Sequence, residues 1–205
     1  MFHFFDFLFP PRADERIVRD VSVDDMLALE VPRLVPATRP LTVGLLPFSS
    51  TSVRSAIHEA KYHGSEHAFT LLSSALADYL RDCDDVGPRR SYISLVPVPL
   101  GRERRKERGF NQVQEIAQRA ARELDIRVDA TLLVRVRETV SQVSLPREAR
   151  EENMRGAFSA AHPADPAHTY IVIDDVITTG ATLQAAVDAL KEAGAEHIIP
   201  LALAY

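Results

Sequence analysis

The sequence predicts an α/β fold, in which a central and mostly parallel β-sheet is flanked by helices. Two short apolar segments rich in β-branched residues, 92–96 and 170–173, are typical of buried strands. Each is followed by a polar segment and then by apolar residues at helical spacing, and such alternation favours a parallel sheet. With 205 residues, 46% of them hydrophobic, the chain can bury one substantial core.

Residues 1–45 are predicted to form an N-terminal arm or degenerate appendage to a domain over 46–205. Prolines at positions 10, 11, 32, 36, 40 and 47 fit a loosely built arm better than a sheet core, because proline cannot donate to a strand ladder. Five phenylalanines within the first nine residues are expected to dock on the protein's own body, and a partner or homodimer contact is the alternative.

Composition and charge favour a cytoplasmic protein. The apolar start contains Asp6 and is too short to span a bilayer, so we expect no membrane insertion. The single cysteine, Cys83, excludes an intrachain disulfide and fits a reducing compartment. A net charge of −5 argues against a surface built wholly for nucleic acid, although it allows a local basic patch.

Regular patterning begins after Pro47. Apolar residues at 53, 57 and 60 predict a short helix, and those from 69 to 80 predict a longer one that ends near residue 82. A buried strand over 92–96 then stops at Pro97, and helical spacing resumes from 113 to 124. After the second strand, apolar residues from 183 to 190 predict a further helix, with Gly194 just past its end.

The segment 97–112, which joins the first predicted strand to its helix, is expected to be a basic loop. It has five basic residues against two acidic ones between Arg102 and Arg108. That charge complements pyrophosphate, although composition alone favours a solvated basic face or a nucleic-acid contact equally. Its position favours a polyphosphate site, because loops at the carboxyl ends of parallel strands converge on one crevice.

The segment 170–182 joins two acids to a turn suited to phosphate. Backbone N–H groups at a helix N-terminus can surround a phosphate, and Gly180 lets the chain approach it closely. Three hydroxyl side chains can donate to its oxygens, those of Thr178, Thr179 and Thr182. Asp174 and Asp175 would repel a phosphate, so the ligand must also offer hydroxyls, a cation or developing positive charge. A sugar phosphate meets these demands, while phosphate-receiver and metal-dependent phosphatase folds stay open.

The order of strand, acid pair and Thr-Thr-Gly-Ala-Thr turn resembles the phosphoribosyl pyrophosphate signature of type I phosphoribosyltransferases, with Tyr170 as the one departure. Further ordered motifs narrow the resemblance to the ComF family of competence-associated phosphoribosyltransferase-like proteins, over residues 45–205. Those motifs are Lys61-Tyr62-His63-Gly64, Pro97-Val98-Pro99-Leu100, Arg105, Arg108-Gly109-Phe110-Asn111-Gln112, 135–142, Arg147, Asn153 and Phe158.

Many members of the ComF family carry an N-terminal zinc ribbon with four cysteines, and this sequence has no cysteine there. Functions that depend on such a module are therefore not implied. A metal site at His58, His63 and His67 is disfavoured, because no acid or cysteine evidently completes a ligand set.

The resemblance implies a type I phosphoribosyltransferase fold that binds phosphoribosyl pyrophosphate with Mg²⁺. Asp174 and Asp175 would bind the ribose hydroxyls, directly or through magnesium-bound water, and favour the cationic sugar. The 5-phosphate would be held by Thr178, Thr179, Gly180, Ala181 and Thr182. Pyrophosphate would be held by Pro99, Leu100, Arg104, Arg105, Lys106 and Arg108. The polar stretch 135–156 would be an active-site flap that brings in Arg147 and Asn153, although it also fits any long connection.

The activity implied is transfer of phosphoribose to an unidentified nitrogen acceptor with release of pyrophosphate. Whether the chain is an enzyme stays open, because no covalent nucleophile or general base is evident. The alternative is a non-catalytic module that binds phosphoribosyl pyrophosphate or nucleotides, or an accessory factor that handles single-stranded DNA during DNA uptake. Type I relatives often dimerise, so a homodimer is a further expectation.

Overall fold

The computed structural model describes residues 12–83, 92–138 and 152–205. Its strands are β1 (Arg33–Val35), β2 (Thr42–Leu46), β3 (Ile93–Pro97), β4 (Arg127–Val128), β5 (Leu133–Arg135), β6 (Phe158–Ala160), β7 (Thr169–Val176) and β8 (His197–Ala204). Six of them form the central sheet in the order β1-β2-β8-β7-β3-β4, while β5 and β6 pair separately. Only β1 runs antiparallel to its neighbour in the central sheet. The predicted α/β class with a mostly parallel sheet is confirmed.

Helices cover both faces of the sheet. The first face carries α1 (Ala13–Asp20), α2 (Val23–Leu27), α3 (Thr51–His63), α4 (Glu66–Asp82) and α6 (Gln112–Leu124), whose buried side chains form one core with alternate residues of β7. The second face carries α7 (Ala181–Glu192) and the β5–β6 pair, which form a separate core with the other residues of β7. Helix α5 (Arg102–Arg108) buries none of its residues.

The helices predicted from apolar spacing are confirmed as α3, α4, α6 and α7, and the two predicted strands as β3 and β7. The basic segment differs from its prediction, because residues 102–108 form α5 and not a loop. Arg, Lys and Glu are good helix formers, and the acid Glu103 lies in the first turn while three basic residues lie in the last, which suits the helix dipole. This helix has no apolar stripe, so hydrophobic periodicity could not reveal it.

The proline-punctuated stretch is more regular than a loosely built arm. Residues 12–46 contain α1, α2, β1 and β2, and every residue of β2 is buried between β1 and β8. Pro32, Pro36, Pro40 and Pro47 all lie outside the strands, so they bound short strands without interrupting them. The division drawn between residues 45 and 46 passes through β2. The phenylalanine-rich residues 1–11 lie outside the described part of the chain.

Candidate functional site

A cavity of about 330 Å³ opens where β3 and β7 end. These strands are neighbours, with Pro97 paired to Ile173, and the chain leaves them in opposite directions across the sheet. Such a switch point is where open α/β sheets bind their ligands. The charged residues that line the cavity are Lys61, Arg104, Arg108, Arg135, Asp174 and Asp175. The structure thus brings the basic segment and the acid pair together, as the sequence predicted.

The two acids point to opposite faces of β7, because successive side chains of a strand alternate. Asp174 also lines the small cavity of the Thr178–Thr182 turn, on the side of α7. Asp175 is only 8% exposed and faces α3 and α6. There its Oδ2 atom accepts a hydrogen bond from Gln112 Nε2 at 2.6 Å and lies 3.2 Å from Lys61 Nζ. The pair therefore consists of one acid already engaged by protein groups and one that faces the cavity.

Burial of Asp174 raises the pKa of its carboxyl group, and the negative charge of Asp175 raises it further. The backbone N–H of Asp175 donates to Asp174 Oδ1 at 2.9 Å and opposes that rise. Positive charge entering the cavity would favour the ionised carboxylate of Asp174. The site is consequently disposed toward a cation or a cationic sugar beside Asp174.

The Thr178–Thr182 turn presents the N-terminus of α7 to the cavity. Gly180 is the N-cap residue of α7, with a φ of 79°, and as a glycine it supplies no side-chain cap. Within the turn, the backbone N–H of Ala181 donates a long hydrogen bond to Thr179 Oγ1 at 3.4 Å. The N–H groups of a helix N-terminus and the positive end of its dipole suit an anion such as phosphate.

The segment between β1 and β2 covers the outer side of this turn. A β-carbon added to Gly180 would lie 2.5 Å from the carbonyl oxygen of Ala37, so no other residue fits without movement of the backbone. The stretch assigned to an arm is therefore part of the wall that shapes the predicted phosphate site.

Helix α5 presents two of its cations to the cavity. Arg104 and Arg108, one helical turn apart, are partly buried and line it together with Pro99 and Leu100. Arg105 and Lys106 are exposed on the outer side of the helix and do not line it. Arg147, the remaining predicted cation, lies outside the described residues.

Arg108 connects the basic helix to the acid pair. Its Nη1 donates to Gln112 Oε1 at 3.1 Å, and its guanidinium carbon lies 5.0 Å from the ring centre of Tyr62. Burial lowers the pKa of Arg108, partly offset by the charge of Asp175. Because burial disfavours the charged form of Arg108, a phosphate that binds beside it would stabilise that charge.

Three polar residues that line the cavity had been given no role from the sequence: Lys61, Gln112 and Arg135. The first two lie within the Lys-Tyr-His-Gly and Arg-Gly-Phe-Asn-Gln motifs, so the motifs were the available signal. Arg135 ends β5, and burial lowers its pKa. Asn153, predicted to aid closure, uses its backbone carbonyl to accept a hydrogen bond from Arg137 Nη2 at 3.0 Å.

Other residues of the second motif hold the cavity in shape. Asn111 caps α6 by accepting from the backbone N–H of Val113, and its Nδ2 donates to the carbonyl oxygen of Val98 at 3.0 Å. Phe110 packs against Phe69 at 5.8 Å between ring centres. These contacts fix the start of α6 to the end of β3, and so position Gln112 beside Asp175.

The acidic residues of the cavity suit a Mg²⁺ ion that is held by one protein carboxylate and by the ligand. Mg²⁺ usually keeps several waters and binds through one or two carboxylates together with substrate phosphates. Asp174, which faces the cavity, suits that role. The carboxylate of Asp175 is already contacted by Lys61 and Gln112, so the residues fit a Mg²⁺ ion held by Asp174 and by the ligand's phosphates.

The acid Glu59 lies beside His58 and His63, two of the three histidines considered above as metal ligands. Ligand atoms of His58, Glu59 and His63 lie within 4.8 Å of one another. Glu59 is 1% exposed and accepts two hydrogen bonds from Arg12, at 3.2 and 2.8 Å. His67 contacts the carbonyl oxygen of Val21 instead. The carboxylate is thus committed to an ion pair, and we assign no metal to this cluster.

Comparison with known protein families finds a match over the second half of the chain. Residues 114–205 match the family "Phosphoribosyl transferase domain". Among solved structures, adenine phosphoribosyltransferase from Leishmania tarentolae aligns with a TM-score of 0.40 and 16% sequence identity, over 88% of this chain and 72% of that one.

Curated relatives give the more specific result. Competence protein F of Haemophilus influenzae is 36% identical over 51% of this chain and 47% of its own length. DNA utilization protein YhgH of Escherichia coli K12 is 35% identical over 51% of this chain and 45% of its own. Competence protein ComFC of Bacillus subtilis is 28% identical over 69% and 55%. The chain is homologous to these proteins, which confirms the resemblance to the ComF family, and it matches about half of their length.

Proposed function

We propose that this protein binds phosphoribosyl pyrophosphate with Mg²⁺ and transfers the phosphoribosyl group to an acceptor nitrogen. The observation that carries the proposal is the convergence of three partners on one cavity. These are the turn before α7, the carboxylate of Asp174, and the cations Arg104 and Arg108. The turn, Asp174 and the two arginines would face the 5-phosphate, the ribose and the pyrophosphate of the ligand, in that order.

Each group has a defined task in this proposal. The Thr178–Thr182 turn binds the 5-phosphate, while Arg104, Arg108 and Arg135 bind pyrophosphate. Mg²⁺, when bound, supplies charge that neutralises the phosphates. Asp174 holds the ribose and stabilises positive charge as it develops on the sugar ring.

Transfer breaks the bond between ribose C1 and the pyrophosphate oxygen, and the electron pair leaves with pyrophosphate. The lone pair of the acceptor nitrogen forms the new bond at C1, and the acceptor releases a proton. A transition state of oxocarbenium character needs negative charge beside the ring and positive charge beside the leaving group. Asp174 and the α5 arginines line the same cavity, so charges of both signs are available to such a transition state.

Thermal unfolding with and without ligand tests the binding step. Mg²⁺ together with phosphoribosyl pyrophosphate should raise the melting temperature, since a ligand that binds only the folded state stabilises it. No rise at millimolar ligand would contradict the proposal. Transfer itself is tested by following pyrophosphate release across a panel of nucleobases and amines, and binding without release from any acceptor would favour the non-catalytic module.

A second function, handling of single-stranded DNA, is favoured by a separate observation. Arg102, Arg105 and Lys106 form an exposed basic surface on the outer side of α5. The ring of Tyr62, which lies 5.0 Å from the guanidinium carbon of Arg108, also in α5, is 55% exposed, and aromatic rings next to cations suit unpaired bases. The names of the relatives, competence and DNA utilization, accord with this role. Gel-shift or anisotropy measurements with a labelled single strand test it, and no binding at low salt would reject it.

We place either activity in the cytoplasm, because the single cysteine, Cys83, is consistent with a reducing compartment. Among the residues that the structure describes, none of the helices combines the length and apolar character needed to cross a membrane.

A further inference from the structure

We infer that Lys61 binds the pyrophosphate end of the ligand, and that Asp175 is a positioning residue that acts through Lys61 and Gln112. The inference rests on the proposed function, because the ligand is the one proposed there. It reassigns one member of the acid pair from ligand contact to support of a cation.

The contacts of Asp175 are the first argument. Its side chain is buried, and a single oxygen, Oδ2, receives Gln112 Nε2 at 2.6 Å and lies 3.2 Å from Lys61 Nζ. A Mg²⁺ ion or a ribose hydroxyl at this oxygen would have to displace those donors. Removing one partner of a buried charged pair is costly, so the pair is expected to persist when ligand binds.

The position of Lys61 is the second argument. It lies in the last turn of α3, a helix fixed by buried residues such as Ile57 and Ala60. The Lys61 side chain is 25% exposed and lines the cavity, so its ammonium group reaches both Asp175 and the ligand space. An ammonium group has three N–H donors, and the contact with Asp175 leaves donors for ligand oxygens.

The faces of β7 decide which part of the ligand Lys61 meets. The turn for the 5-phosphate lies with α7 on one face, whereas Lys61 and Gln112 approach Asp175 from the other. Arg108, which donates to the same Gln112, also lies on that other side. Lys61 and Arg108 therefore flank one end of the cavity, the end opposite the 5-phosphate, and this is where pyrophosphate would lie.

Calorimetric titration of two ligand fragments tests the inference. Inorganic pyrophosphate and ribose 5-phosphate are titrated separately, in Mg²⁺, into the wild-type chain and Lys61→Gln. Lys61→Gln should raise the Kd for pyrophosphate about tenfold or more and leave the Kd for ribose 5-phosphate within about twofold, since a charge-assisted contact is lost at one end only. Lys61→Arg should restore part of the pyrophosphate affinity. Arg54→Gln removes an exposed cation from the same helix and should change neither value.

A double-mutant cycle tests the indirect role of Asp175. If Asp175 acts through Lys61, Asp175→Asn should weaken pyrophosphate binding in the wild-type chain and have little further effect in Lys61→Gln. Additive effects, or a selective loss of ribose 5-phosphate in Asp175→Asn, would overturn the inference, as would unchanged pyrophosphate binding in Lys61→Gln. If the wild-type chain binds neither fragment, the proposed function fails together with the inference. If the wild-type chain binds pyrophosphate and Lys61→Gln binds it equally well, only the inference fails and the proposed function stands.

Discussion

The carbonyl oxygen of Ala37 lies against Gly180, at a point where an added β-carbon would come within 2.5 Å of it. Ala37 belongs to the connection between β1 and β2, and Gly180 to the turn that starts α7. The proline-rich stretch near the N-terminus therefore packs against the outer side of the predicted phosphate site. Changes at either residue should reach the other through this contact.

Substitution of Gly180 by alanine should destabilise the fold and weaken ligand binding. Gly109 provides a matched control, because its φ of 78° is close to the 79° of Gly180 and nothing lies within 4 Å of its added β-carbon. Both alanine variants should lose about 1 kcal/mol from the left-handed backbone, and Gly180→Ala about 1–3 kcal/mol more from the clash. Urea unfolding measures the difference. Equal losses in the two variants would show that the Ala37 contact relaxes freely.

Asp174→Asn should weaken Mg²⁺-dependent binding of phosphoribosyl pyrophosphate about tenfold or more, because the carboxylate that faces the cavity is neutralised. The fold should remain intact, since Asp174 is partly exposed and the amide is isosteric. Asp188→Asn, which neutralises an exposed acid on α7, is the control and should bind as the wild type does. Titration calorimetry at several Mg²⁺ concentrations measures the effect, and equal behaviour of the two variants would remove Asp174 from the site.

The two sides of α5 should respond differently to loss of charge. Arg104→Ala removes a cation that lines the cavity, and should lower the affinity for phosphoribosyl pyrophosphate about tenfold. The double variant Arg105→Ala with Lys106→Ala should leave that affinity within about twofold and lower the salt slope of single-stranded DNA binding by about 1.4, at roughly 0.7 per phosphate contact. A strong loss of small-ligand affinity in the double variant would contradict the assignment of the two sides.

Glu30 should make stability depend on pH. Its Oε2 is buried without a hydrogen-bond partner among the described residues, and burial, with the charges of Asp78 and Asp82, raises the pKa of Glu30 to about 7. Between pH 4.5 and about 7 the folded state therefore holds more protons than the unfolded chain, whose glutamate keeps the ordinary value of 4.5. The free energy of unfolding falls as pH rises through this range.

Glu30→Gln should remove that dependence. After allowance for partial exposure, the variant should be more stable than the wild type by about 1–2 kcal/mol at pH 8 and equal to it near pH 4. Chemical unfolding at each pH measures the difference, with the exposed Glu196→Gln as control. A pH-independent difference would mean that Glu30 is not the titrating group.

Sequence patterns predicted those parts of the fold whose signal is local. The apolar run into Asp174 and the helical spacing after Gly180 are both local, and both match the structure. The β2 strand was missed because its burial depends on β8, a partner distant in the sequence, and because its flanking prolines were read as signs of a loose segment. Helix α5 was missed because it has charge and no apolar stripe.

The site shows the same limit. Adjacent acids on a strand point to opposite faces, and this alternation could have separated Asp174 from Asp175 before the structure was known. What meets Asp175 on its face could not be foreseen, because Lys61 lies more than a hundred residues earlier and reaches it only through the packing of α3. Pairwise tertiary contacts of this kind leave no periodic trace in a sequence.

The division of α5 into an inner pair of arginines and an outer basic surface bears on how the two candidate functions relate. A small phosphorylated ligand in the cavity would occupy Arg104 and Arg108 and leave Arg102, Arg105 and Lys106 exposed. A polyanionic strand could therefore lie along the outside of a helix whose inside holds the sugar phosphate. The two ligands need not compete for this helix, because they would use different sides of it.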